Sequence, residues 1–81
     1  MKYQKKQLFE IIAETLEISL NNINEDSSVD SVNSWDSYAH LNLILALERK
    51  FQISFDDSEV IDLLNIKLII LALEKHNITF A

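Results

Sequence analysis

The chain contains no glycine and no proline. Those two residues supply most tight turns, glycine by tolerating positive φ and proline by presetting φ at about −65°. Without them the turns fall to Asn, Asp and Ser, whose short side chains bond their own backbone and tolerate left-handed conformations. Residues 3–18 carry Leu8, Ile11, Ile12 and Leu16 with Glu10, Glu14 and Glu17 between them, a helical stripe at i, i+3, i+4 spacing. Residues 20–34 are different: Asn, Asp, Ser and Glu dominate, and Ile23, Val29 and Val32 stand alone. That is the pattern of a long loop pinned to a core by three side chains, and loops of this length tend to be functional.

Residues 36–51 read as a second helix, with Asp36 or Ser34 available as N-cap. The DDSE at 56–59 looks like the start of a short helix with Val60, Ile61 and Leu64 on its buried side. Asn65 offers a cap for a last helix over residues 66–76, and Asn77 can close it. The expected fold is all-α, a small bundle of three longer helices plus one short helix with a long first loop, forming a single domain over residues 1–81. Leu8, Ile12, Leu43, Leu47, Phe51, Ile61, Ile66 and residues 69–73 are its expected core. The string ILALE occurs twice, at residues 44–48 and 70–74, but the flanking segments diverge and Leu63 stands where a repeat would need Ser37. Good helix formers packed on one core produce such echoes without a repeat.

Composition removes several functions. A domain of 81 residues buries only about 60% of its unfolded surface, leaving little room for a deep catalytic cleft. There is no cysteine, so no disulfide, thiolate chemistry or thiolate metal ligation is expected. The two histidines, His40 and His76, lie far apart without a metal-binding motif, and no metal site is expected. The longest apolar run has six residues, Leu68 to Leu73, against the roughly 20 of a membrane span. The basic start MKYQKK precedes no long apolar segment, so a cytoplasmic monomer without signal peptide is expected.

The net charge of −6 is uneven: residues 25–62 hold nine acids and two bases, net −7, and the remainder is +1. A concentrated negative field repels nucleic acid and attracts basic protein surfaces. The plainer reading is that the acids keep a small protein soluble.

The most informative stretch is WDSYAHLNLILALERKF, residues 35–51. Ser37 follows an aspartate and precedes the most apolar helical run, and three readings compete for it. In the first, Asp36 and Ser37 only cap a helix start. In the second, Ser37 is a hydrolase nucleophile with His40 as base and Asp36 as orienter. Neighbouring side chains diverge, however, and a glycine-free chain makes a tight nucleophile elbow with oxyanion donors hard to build. In the third, Ser37 is a site of covalent attachment, its hydroxyl held at a helix N-terminus where free N–H groups and the dipole favour an anion.

Asp36-Ser37, the spaced apolar run Leu41, Leu43, Ile44, Leu45, Leu47, the closing Leu47-Glu48 and Phe51, then Ile53-Ser54-Phe55 and an acidic short helix from Asp56 together resemble an acyl carrier protein, or more broadly a phosphopantetheine-dependent carrier domain. The likeness covers nearly the whole chain, including the long first loop. Trp35-Asp36-Ser37 with His40-Leu41 resembles stand-alone carriers of specialised pathways as well as fatty-acid carriers. The resemblance implies an acyl-carrier-like bundle whose Ser37 receives 4′-phosphopantetheine from coenzyme A, through a separate phosphopantetheinyl transferase and magnesium. Asp36 would serve transferase recognition. The arm's thiol would carry an acyl or aminoacyl group as a thioester, presented to loading and transferring enzymes, and the protein itself would catalyse nothing.

Some positions depart from the family pattern. Asn33, Ser34 and Trp35 occupy a turn that usually holds a glycine, and Tyr38 follows the serine where a leucine is common. Where fatty-acid carriers present several acids on the second helix, this chain has Ala39, Asn42, Arg49 and Lys50, leaving Asp36 and Glu48. The negative charge lies instead in the loop and at Asp56, Asp57, Glu59 and Asp62. A dedicated partner set follows as the expectation, with contacts from Tyr38, Leu41 and Leu45 besides Glu48 and those four acids. The leucines read equally as ordinary core. An aminoacyl or peptidyl carrier, and an acidic helical interaction module that is never modified, remain as alternatives.

Overall fold

The computed structural model describes residues 2–80. Its elements are β1 (Lys2–Tyr3), α1 (Lys5–Leu16), a 3-10 turn (Leu20–Asn22), α2 (Ser37–Phe51), α3 (Asp57–Asp62), α4 (Ile66–Lys75) and β2 (Thr79–Phe80). The chain is a small, mostly helical bundle with the long first connection between α1 and α2.

Each helix end has a local chemical cause. The Gln4 N–H donates to Gln7 Oε1 at 2.9 Å before α1, and Asp36 Oδ1 accepts from the Ala39 N–H at 2.8 Å to open α2. The Asp56 N–H donates to Glu59 Oε1 at 2.9 Å before α3. Asn65 Oδ1 accepts from the Leu68 N–H at 2.8 Å at the head of α4. These bonds satisfy amides that have no intrahelical acceptor. Arg49 and Lys50 lie in the last turn of α2 and Lys75 in that of α4, where cations complement the helix dipole. Three turns use the left-handed region that glycine usually fills: Glu17 (φ 57°), Gln52 (φ 54°) and Asn77 (φ 68°). Asn77 bears out the expected closure of α4. Glu17 and Gln52 carry longer side chains, for which this conformation costs roughly 1–2 kcal/mol.

The core is one cluster. Its largest fully buried side chains are Leu8, Ile12 and Leu16 from α1, Leu43 and Leu47 from α2, and Ile66, Ile69 and Leu73 from α4. Each such burial stabilises by about 1.5–3 kcal/mol relative to exposure. The connection between α1 and α2 is held as expected: Ile23 and Val32 are buried and Val29 packs against the cluster. Trp35 at its end is buried too. Backbone bonds stitch it to the segment before α4, from Val29 N–H to Leu64 O and from Ile66 N–H to Ser27 O, both at 3.0 Å.

Three expectations about packing fail. Ile61 is 71% exposed, and Leu64 is exposed as well, whereas Leu63 is buried and Val60 half-buried. The helical spacing ends at Asp62, and Leu63 leaves the α-region at φ −83°, ψ 63°, so the register assumed through Leu64 is broken. Leu71 also faces outward, because the buried face of α4 follows Ile66, Ile69, Ile70 and Leu73 at helical spacing. Tyr3, expected at the start of the first helix, is instead in β1. It pairs in parallel with β2, Lys2 opposite Thr79 and Tyr3 opposite Phe80. Phe51 meets both strands edge-on, its ring centroid 4.8 Å from Tyr3 and 6.2 Å from Phe80.

The left-handed turn after α2 makes a prediction. Gln52→Gly should raise stability by up to about 1 kcal/mol, relief of the left-handed strain outweighing the added freedom of the unfolded chain. Asn77→Gly should be nearly neutral. Urea titrations measure both, and a Gln52→Gly loss of the size expected inside a helix would refute the account.

Candidate functional site

Ser37 is the first residue of α2 and is exposed. Asp36, not Ser34, is the cap; the Ser34 hydroxyl is buried without a hydrogen-bond partner. With Asp36 satisfying the Ala39 amide, the Ser37 hydroxyl is left at the positive end of a 15-residue helix, free of any role in closing it. The first-turn amides of Ser37 and Tyr38 have no acceptor within the helix. A phosphate ester on this oxygen would meet both the amides and the dipole, so the residues present fit such a group.

The residues bracketing Ser37 are fixed. Trp35, 3% exposed, donates its indole Nε1–H to His40 Nδ1 at 3.0 Å, and the rings lie stacked with centroids 6.1 Å apart. His40 Nε2 lies 2.8 Å from the Val60 carbonyl in α3. An indole can only donate and a carbonyl can only accept, which assigns the proton to Nε2 and the lone pair to Nδ1. Both ring nitrogens are thereby engaged, and His40 offers no base to Ser37. Asp36 Oδ1 likewise faces the Ala39 amide. The serine–histidine–aspartate arrangement weighed from the sequence does not form.

Tyr38, Leu41 and Leu45 follow Ser37 along the outer face of α2, with exposures of 77, 58 and 55%. They are not core. Glu48 is half-buried, and its Oε2 accepts from the Phe55 N–H at 2.8 Å, holding the chain that leaves α2. Among the four acids near α3, Asp56, Asp57 and Asp62 are exposed, while Glu59 is half-buried. Glu59 accepts from the Asp56 amide and pairs with His76 Nε2 at 3.0 Å. The predicted residues thus fall on two surfaces, an apolar one on α2 and an acidic one on α3, joined through His40.

Sequence reasoning missed this tie. The available signal was a tryptophan and a histidine five apart, flanking an exposed helix start in a chain with one Trp and two His. A separate open groove of about 500 Å³ is lined by Leu63, Leu68, Leu71 and Ala72 together with Glu59, Asp62, Glu74 and Lys75, and by no residue of α2. Among the described residues, no group of three or more His, Cys, Asp or Glu is placed to hold a metal ion. No helix there is long and apolar enough to cross a membrane. No protein-family model matches the chain, and no curated protein matches it.

Glu59 titrates abnormally. The hydrogen bond from the Asp56 amide holds its carboxyl below the ordinary value of 4.5, with the His76 imidazole adding to that pull and burial opposing it. A carboxylate whose folded pKa is depressed contributes stability above its unfolded pKa and loses it as pH falls through the folded value. The wild type should therefore exceed Glu59→Gln in melting temperature at neutral pH, and the gap should close as pH drops below 4.5. Thermal melts across that range check it; a gap that widens on acidification would overturn the assignment.

Proposed function

We propose that this chain is a carrier protein that bears 4′-phosphopantetheine on Ser37 and presents an acyl or aminoacyl group, as a thioester on that arm, to partner enzymes of a specialised biosynthetic pathway in the cytoplasm. The observation that carries the reading is the exposed Ser37 hydroxyl at the head of a long helix. A separate aspartate caps that helix, and an exposed apolar stripe flanks the serine. The acyl-carrier-like sequence pattern supports it independently.

The attachment is a single displacement. The Ser37 oxygen forms a bond to the phosphorus that bears pantetheine in coenzyme A, and the bond from that phosphorus to the bridging oxygen breaks. The adenosine bisphosphate half leaves, and the serine proton passes to a base of the transferase. Magnesium would neutralise the pyrophosphate. This chain contributes the oxygen, Asp36 to hold the helix start, and α2 amides beside the new phosphodiester. Its reactive thiol arrives with the arm, which suits a chain without cysteine.

With Glu48 engaged by the Phe55 amide and Arg49 and Lys50 exposed beside it, α2 lacks the acidic face on which a general fatty-acid carrier relies. Partners would then dock on Tyr38, Leu41 and Leu45, with the α3 acids as a second contact. Loading by the cognate enzyme should depend less steeply on salt than for a carrier docked through an acidic helix, because the apolar contacts are not screened. An initial-rate series in sodium chloride measures this, and a steep fall would return the docking to charge.

Intact mass tests the class. After incubation with coenzyme A, magnesium and a permissive phosphopantetheinyl transferase, the wild type should gain one phosphopantetheinyl group and Ser37→Ala none. Because Asp36 is the cap, Ser37→Ala should change stability by no more than about 0.5 kcal/mol. No gain with several transferases, on folded protein, would sink the proposal in favour of an unmodified interaction module.

A further inference from the structure

Ser37 and the acids of α3 lie on different elements, and an enzyme that touches both needs them in a fixed relation. α3 has only six residues and none of them is fully buried. Isolated helices shorter than about 12 residues do not persist in water, so outside contacts must hold this one. Leu63 anchors its end in the core, and Glu59 ties it to His76 at the end of α4. The tie to α2 runs through His40, whose 2.8 Å bond to the Val60 oxygen is shorter than the 3.4 Å bond that oxygen receives from the Leu63 amide.

The chain of bonds continues to Trp35, two residues before Ser37, while His40 lies three residues after it. Loop, α2 and α3 are thereby joined around the serine by bonds of 3.0 and 2.8 Å. α3 cannot move away from α2 without breaking the bond at Val60 or drawing on the buried indole.

We propose that His40 is a positioning residue for modification of Ser37: the Trp35–His40–Val60 relay sets the register between the serine and the α3 acids, so that a transferase engaging both meets them already aligned. This rests on the carrier reading. It assigns His40 no contact with coenzyme A and no proton transfer. Losing the relay lowers the population of the aligned state, and apparent affinity falls in proportion to that population.

The test compares wild type, His40→Ala, His40→Gln and Trp35→Phe as transferase substrates with coenzyme A and magnesium. Amide exchange of α3 and emission from the single tryptophan are followed in parallel. His40→Ala is expected to raise the carrier KM about tenfold, as for a tenfold loss of aligned population, with kcat within about twofold. It should also speed α3 exchange and shift the Trp35 emission. His40→Gln, whose amide offers an acceptor and a donor, should recover most of the KM. If His40→Ala does not fold, Trp35→Phe carries the test, because it removes the donor and keeps a packed ring; it should raise KM in the same sense.

Unchanged KM and α3 exchange in the folded variants would overturn the proposal. So would a loss confined to kcat, which would make His40 part of the chemistry. Should the wild type accept no phosphopantetheine at all, the carrier reading fails. The exchange and emission data then decide the relay by themselves, slow α3 exchange in His40→Ala overturning it.

Discussion

The contact on which the rest depends is the aliphatic seam of Leu8, Ile12 and Leu16 with Leu43 and Leu47, completed by Ile66, Ile69 and Leu73. It fixes α1, α2 and α4, the elements long enough to place whole turns against one another. The rest is attached to that frame by small numbers of directed bonds. The long connection is nailed by Ile23, Val32 and Trp35, and α3 is held by the carboxylate and carbonyl that two histidines reach. The candidate serine gains its exposure from this division. It starts a helix whose position is determined deep in the seam, so its own side chain has no packing duty.

Much of this was legible because it is local. The three longer helices follow from helical periodicity, and Asp36, Asn65 and Asn77 announce their ends through chemistry within four residues. The pinning residues Ile23, Val29 and Val32 stood out as lone apolar side chains in a polar segment. Ser37 at a helix start was readable for the same reason.

What could not be read involves partners distant in sequence or a break in period. Leu63 replaces Ile61 in the core because the helix stops at Asp62, and nothing in the residues around Ile61 marks that stop. The apolar residues of α2 occupy two faces, and only the folded neighbours decide that Leu43 and Leu47 go in while Leu41 and Leu45 stay out. Glu48 looked like a surface charge, yet it holds the Phe55 amide seven residues away. Glu17 and Gln52 entered left-handed turns against their preference, because the frame demanded a turn there and no glycine was present.

The short parallel pair of Lys2–Tyr3 with Thr79–Phe80 changes the connectivity of the molecule. With Phe51 wedged against both strands, the described chain is almost a ring, its two extremities side by side over the end of α2. In such a ring, the order in which the helices are strung matters less than their adjacency. A tether across the strand pair would need only a few residues, whereas the connection between α1 and α2, stitched by backbone bonds and pinned by Ile23, Val32 and Trp35, is too tied into the core to be cut freely.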